Sequence, residues 1–387
     1  MLPLFLIVFI DLVGFGLIIP LLPFYAEHFG APPHAVALLM ATYSFAQFLA
    51  APYWGRLSDK IGRKPVLVMS MAGAVVAYTL MGFADTLWFL VAARGLAGFM
   101  AGNISAAFAY MADITGPENR AKGMGLIGAA FGLGFMIGPA IGGTLAGADP
   151  TTADFALPSF VAAGMSAIAL VLTLILLKES FTAEKRAAYT APNHRNALVG
   201  FIDGIKRPDI GKLLLLSFLA TFVFAGMEAT FAMWSERRFE WGPLQNGYLF
   251  AAVGLVSVTV QGGLMGRLAR RFGEQRLITA GAFFFTLGLV GAPLSGSVGF
   301  MVLSMGLLAL GFTLFNPALN SLMSLNAAPH EQGAVMGIAR SATILGRVVG
   351  PAWAGMIFDV LGKDWPFFAG AIVMCAVVFM AARLRKQ

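Results

Sequence analysis

Four charged residues stand inside long apolar runs: Asp11 in MLPLFLIVFIDLVGFGL, Arg94 in FLVAARGLAGFM, Glu228 in TFVFAGMEATFAMW and Arg347 in ATILGRVVGPAW. An ionisable group in such a run is costly, so it marks a place where something is bound, coupled or paired. Burial favours the protonated form of a carboxylate and a neighbouring arginine favours the ionised form. A site where the two oppose each other can load and release protons as its exposure alternates. Asp11 with Arg94 has that chemistry; the alternative is a fixed structural ion pair. Glu228 suits the positive end of a substrate or a second proton site, or else is a hydrated rim glutamate. Arg347 suits an anchor for an anionic or zwitterionic substrate, or a partner for Glu228, while Arg340 lies nearer a span end and snorkels. All four histidines (His28, His34, His194, His330) lie near span ends or in loops, so any coupled proton falls to a carboxylate. The single cysteine, Cys375, excludes a disulfide frame and a cysteine metal cluster. No G-x-x-x-x-G-K-S/T is present, which argues against direct use of ATP. No cofactor and no metal are expected beyond a coupling proton.

The elements that position these groups follow from composition. Of 387 residues 58% are apolar and 12% charged, with mean hydropathy +0.80, whereas soluble domains carry about 25% charged residues. The chain reads as an all-α integral membrane protein. A span needs about 20 mostly apolar residues. Twelve are found near 3–25, 34–54, 65–84, 86–111, 122–147, 157–177, 211–234, 244–265, 276–296, 298–325, 333–358 and 365–383. At about 1.5 Å per residue, Asp11 and Arg94 each lie roughly 12 Å from opposite ends of spans 1 and 4. They therefore come within about 6 Å of one level in a core of about 30 Å.

Of the 26 lysines and arginines, 20 fall on one set of alternate loops and the termini, and three (Arg237, Arg238, Lys363) on the other. That asymmetry puts both termini on the cytoplasmic side, and places the net charge of +7 at a membrane face rather than on nucleic acid. No cleavable signal peptide is apparent, because the first apolar run continues through Pro20 and Pro23.

The chain also repeats. GRLSDKIGRKPVL at 55–67 aligns with GRLARRFGEQRLI at 266–278, an offset of 211. LGFMIGP, with Gly134, Gly138 and Pro139, aligns with LGRVVGP, with Gly346, Gly350 and Pro351, at 212. Two halves of six spans each are implied, parallel repeats about an axis along the membrane normal. Residues 1–177 form the first bundle, 178–210 a cytoplasmic linker and 211–387 the second bundle. In the linker Ala197, Leu198, Phe201, Ile202 and Ile205 share one helical face, which suggests a short amphipathic helix on the membrane surface.

With these motifs the chain resembles the major facilitator superfamily, and within it the twelve-span drug–proton antiporters. GRLSDKIGRKPVL matches the loop motif between spans 2 and 3, Arg94-Gly-Leu-Ala-Gly98 looks like the span-4 arginine motif, and Gly134 to Gly143 looks like the span-5 motif associated with antiporters. DLVGFGLIIPLLP at 11–23 is similar to the first span of tetracycline exporters. Spans 3 and 9 contain no acid, where those exporters carry further acidic residues, which argues against a tetracycline-specific pump. The resemblance implies two six-helix bundles around a central cavity lined in part by spans 1 and 4. It also implies an inner latch, in which Gly55 permits close approach, Asp59 meets the N-terminal end of span 11, and Arg63 meets Asp113. In the second half Arg270 and Glu274 replace the residues that would make this latch. The Gly134, Gly138, Gly142 and Gly143 strip lets another helix pack closely, with a kink at Pro139. Tyr43, Gln47, Asn103, Ser105, Gln261, Asn316 and Asn320 are candidate cavity residues and substrate contacts, as are Glu228 and Arg347, with Phe222, Phe224, Phe231 and Phe315 as apolar walls.

The expected protein is a proton-coupled secondary transporter, not an enzyme. It works as a monomer in a bacterial inner membrane and exports small amphipathic or drug-like molecules. Export of a defined metabolite (a sugar or an organic anion) and lipid flipping on the same fold remain the alternatives. No nucleic-acid partner is expected.

Overall fold

A computed structural model describes residues 1–181, 207, 210–327 and 332–384. Among them are twelve helices long and apolar enough to cross a membrane, and no strand. They are α1 (Leu2–His28), α2 (Pro33–Ile61), α3 (Arg63–Gly82), α4 (Leu87–Ile114), α5 (Lys122–Ala146), α6 (Ala156–Leu176), α7 (Gly211–Phe239), α8 (Pro243–Phe272), α9 (Glu274–Leu294), α10 (Val298–Leu325), α11 (Val335–Leu361) and α12 (Trp365–Ala382). The amphipathic segment expected at 197–205 lies outside the described residues.

Each helix satisfies its own backbone, the condition for crossing hydrocarbon, and its hydroxyls follow suit. Thr79, Thr115, Thr144, Ser159, Thr173 and Thr286 each donate to the carbonyl four residues earlier. Large apolar side chains such as Leu174, Ile175, Phe283, Leu303 and Ile372 are exposed, as lipid-facing residues are.

The helices depart from the sequence reading where polar residues meet the span ends. GRLSDKI and GRLARRF read as loop, yet both continue their helices, to Ile61 and Phe272. What stops each helix is the next residue. Gly62 has φ +108° and Gly273 φ +78°, a region that glycine enters without a Cβ penalty. These two glycines are 211 residues apart. So are Thr86 and Ser297, whose hydroxyls cap α4 and α10 by accepting from Phe89 and Phe300 N–H, each at 3.3 Å. The repeat in the sequence is thus a repeat of local structure.

The residues group into two compact units. One comprises Met1–Ala31, Thr42–His194 and Trp241–Ala251; the other comprises Pro32–Ala41, Arg195–Glu240 and Ala252–Gln387. In the first, α1 packs on α5 and α6, and α3 on α4 and α6. Its core includes Leu4, Ile7, Trp54, Met71, Met111 and Ile127. In the second, α7 packs on α11 and α12, and α9 on α10 and α12, the same pairing six helices later. The glycine strip of α5 serves two neighbours. A Cβ on Gly134 or Gly138 would lie 2.8 Å from Leu12 Cβ or 2.6 Å from Val13 O, and one on Gly142 would overlap Leu17, so these three admit α1. Gly143 faces the first turn of α8, at Pro243, Leu244 and Gly247. The α5 helix runs on through Pro139.

Candidate functional site

Asp11 sits in the middle of α1 and is only 8% exposed. Ser166, fully buried on α6, donates its hydroxyl to Asp11 Oδ1 at 3.2 Å. The carboxylate borders a small cavity of about 20 Å³, room for one or two water molecules. Leu12, Phe15, Tyr43, Tyr78, Ala97, Met100 and Ile104 complete most of its wall. Arg94, on α4 and 2% exposed, stands over the faces of Tyr43 (4.4 Å to the ring centroid) and Phe15 (5.6 Å). A ring face attracts a guanidinium without neutralising it. The acid and the arginine therefore share two aromatic neighbours. Tyr43, Tyr78 and Ser166 belong to the site, and sequence reasoning missed two of them; a tyrosine or serine inside an apolar span was the signal available.

In the second unit Arg347 Nη1 contacts Glu228 Oε2 at 3.4 Å, the pairing that the sequence offered among its alternatives. Glu228 is 8% exposed, while the Arg347 side chain is 32% exposed. Two aligned segments differ here. In α5 the aligned residue is Phe135, which packs edge-on against Phe15 of α1 at 5.9 Å; in α11 it is the arginine.

A polar cluster gathers at the Lys/Arg-rich end of the first unit. Arg63 donates from Nη1 to Asp59 (2.6 Å) and Ser58 (3.0 Å) and from Nε to Asp113 (3.3 Å). Its guanidinium also covers the Phe181 ring at 4.5 Å. Ser180 donates to the same Asp113 oxygen at 3.0 Å. Glu179 accepts from the Arg63 and Lys64 backbone N–H groups at 2.9 and 3.1 Å, a carboxylate on the positive end of α3. Glu179, Ser180 and Phe181 were missed because they follow the last apolar residue of span 6 and read as the start of the linker.

Other expected contacts separate. Asn320 donates to Asn316 at 3.3 Å along one face of α10. Gln47 is half-buried, and Gln261 is exposed within a π-helical stretch of α8, Val260–Leu264. The Asn103 side chain lies outside the described residues. A Cβ on Gly55 would meet open space among the described residues; there the helix end is held by the Arg63 charges rather than by backbone approach. Phe231 and Phe315 are fully buried and fill the core of the second unit instead of lining an opening. Phe224 stacks on Phe312 at 4.1 Å. In α9 Glu274 accepts from Ser321, a contact unlike that of Arg63.

Comparison with known families settles the class. The model of the Major Facilitator Superfamily matches residues 4–340 and 262–387. The chain belongs to the Major Facilitator Superfamily. Its relatives in that superfamily include the class B tetracycline resistance protein of Escherichia coli, 28% identical with 97% of this chain and 93% of that protein covered. Multidrug resistance protein 2 of Bacillus subtilis (strain 168) is 31% identical, with coverage of 95% and 90%. The crystal structure of the human organic anion transporter MFSD10 (TETRAN) is similar at TM-score 0.75 and 26% identity, over 98% of each chain. The chain is a multi-pass membrane transporter of this superfamily, and not an enzyme.

Proposed function

We propose that the protein is a proton-coupled antiporter that exports small amphipathic or drug-like molecules by alternating access. It would reside in a bacterial inner membrane with both termini cytoplasmic, and function as a monomer. The observation that carries this reading is Asp11. It is a buried carboxylate beside a water-sized cavity, near a buried arginine that is held on ring faces, in a span whose one histidine, His28, stands at its far end. A proton entering from outside would load Asp11 as substrate leaves, and the proton would be released inward when the exposure of the site alternates. The Arg63–Asp59–Asp113 cluster would hold the inner ends of α2, α3 and α4 together and part when the inner side opens. The multidrug and tetracycline resistance relatives support the export direction.

The test uses inside-out vesicles carrying an imposed proton gradient read by a pH-sensitive dye. Cationic, neutral and anionic compounds are added to the parent and to Asp11→Asn. Substrate-triggered proton efflux that disappears in Asp11→Asn is the expected result. Uphill transport by Asp11→Asn at the parental rate would remove Asp11 from the coupling. No response to any compound would move metabolite or lipid transport ahead of drug export.

A further inference from the structure

We propose that Arg347 is the residue that recognises the substrate's charged group, and that the exported amphipaths carry an anionic group such as a carboxylate or sulfonate. This rests on the exporter reading above and names its substrate class. Glu228 would be the internal occupant that holds Arg347 until substrate arrives.

Position is the first argument. Arg347 lies 12 residues after the start of α11 and 14 before its end, roughly 18–21 Å from either end at about 1.5 Å per residue. That is too deep for the side chain to reach a membrane surface. Its partly exposed guanidinium therefore faces polar space, since hydrocarbon does not accept an arginine there.

Unused capacity is the second. A guanidinium has five N–H donors in a fork suited to planar oxyanions. Among the described residues Arg347 makes one polar contact, a single long one at 3.4 Å to Glu228. The other donors remain for a ligand. Exposure settles which sign of charge is recognised: the acid is buried at 8% and the base is open at 32%. An arriving anion reaches Arg347 directly, whereas an arriving cation finds Glu228 behind it. A substrate carboxylate offers Arg347 the same group that Glu228 does, so the arginine stays paired through the exchange, and the cost falls on the displaced Glu228, left buried without its partner.

The third argument is that the fold does not need this pair. The corresponding α1–α5 seam in the first unit closes with Phe135 on Phe15 and no charge in that place. The α7–α11 seam also supplies aromatic surface. The α7 backbone at Phe218 and Phe222 packs against Gly346, the residue before Arg347; the Phe218 and Phe222 rings stack at 5.9 Å, and Phe222 lies 4.7 Å from Trp353. All three rings are half-buried, available to the apolar body of an amphipath.

The test is binding by the purified full-length protein in detergent, read by fluorescence anisotropy. The probes are fluorescein (anionic) and rhodamine 6G (cationic), which share a xanthene core. The parent is expected to prefer fluorescein. Arg347→Gln should weaken fluorescein binding roughly 10- to 100-fold, the range of one charged hydrogen-bonding partner, and should leave rhodamine 6G unchanged or tighter. Glu228→Gln should release the guanidinium and tighten fluorescein several-fold. Should Arg347→Gln prove unstable, the doubly neutral Glu228→Gln/Arg347→Gln, which strands no charge, should fold and still lose the fluorescein preference. Parental fluorescein binding by either Arg347 variant, or equal weakening of both probes by Glu228→Gln, would overturn the proposal and make the pair a structural strut. Neither readout involves a proton gradient. A failure of coupling at Asp11 and a failure of anion recognition at Arg347 thus give different results.

Discussion

Replacing Arg63 with methionine keeps the side-chain stem and removes the guanidinium that joins Asp59, Ser58, Asp113 and the Phe181 face. Breaking a buried pair by removing one partner costs about 3–5 kcal/mol, because the other charge stays behind. Here the Asp59 and Asp113 side chains are 14% and 20% exposed, so water compensates in part. Ser180 also continues to donate to Asp113. The expected loss is therefore about 2–3 kcal/mol. For a cooperative unit of 150–250 residues each kcal/mol shifts the melting temperature by about 2–4 °C, so Arg63→Met should melt roughly 4–12 °C below the parent in detergent. Arg63→Lys should fall between, since an ammonium lacks the fork that reaches two acids at once. The decisive variant is Arg63→Met/Asp59→Asn/Asp113→Asn, which removes the stranded charges and should recover much of the loss. The reasoning fails if Arg63→Met melts with the parent, or if the triple variant melts below Arg63→Met.

Glu179→Ala removes the carboxylate at the N-terminus of α3; a cap of this kind contributes about 1 kcal/mol, seen as a smaller drop in the same melting assay, with Glu179→Gln losing less. Gly138→Leu drives a side chain into backbone atoms of α1 that would lie 2.6–2.8 Å from a bare Cβ; α1 must shift, and substrate flux in vesicles should fall well below the parent even where folded protein is recovered.

Much of this architecture was legible because hydrocarbon imposes simple rules. Twelve apolar runs became twelve spanning helices, and the 211-residue offset reappeared in the φ of Gly62 and Gly273 and in the caps at Thr86 and Ser297. Hydropathy failed where helices outrun the membrane: Gly55–Ile61 is polar and helical, and only a glycine with positive φ ends it. Among site residues, the depth of Glu228 and Arg347 was readable as a possible pair because both are charged. Asp11's hydroxyl donor was not readable, because Ser166 lies 155 residues away on α6 and is one of many small residues there. The aromatic walls divided for a similar reason. Periodicity places a phenylalanine on a helix face, but whether that face meets core, lipid or an opening depends on which helix packs against it. Phe231 and Phe315 proved to be core.

The two halves repeat their scaffold without repeating their charges, and exchanging one residue tests whether that difference matters. Phe135 occupies the place in LGFMIGP that Arg347 holds in LGRVVGP. Phe135→Arg would put a guanidinium against Phe15, a ring already 5.6 Å from Arg94. Asp11 stands one turn before Phe15 on α1, but it already accepts from Ser166 and shares its cavity wall with the rings that hold Arg94, so the new cation meets a like charge across one ring and an acid that is already engaged. An arginine at the centre of a span costs about 2.5–3.5 kcal/mol on insertion scales, and the repulsion from Arg94 adds to that. The variant should therefore melt several degrees lower and yield less folded protein. Arg347→Phe combined with Glu228→Gln recreates the uncharged seam of the first half and should melt close to the parent. If Phe135→Arg were as stable as the parent, the first seam would have room for a hydrated cation. The argument that Arg347 occupies a place made for a ligand, and not one any arginine tolerates, would then lose its basis.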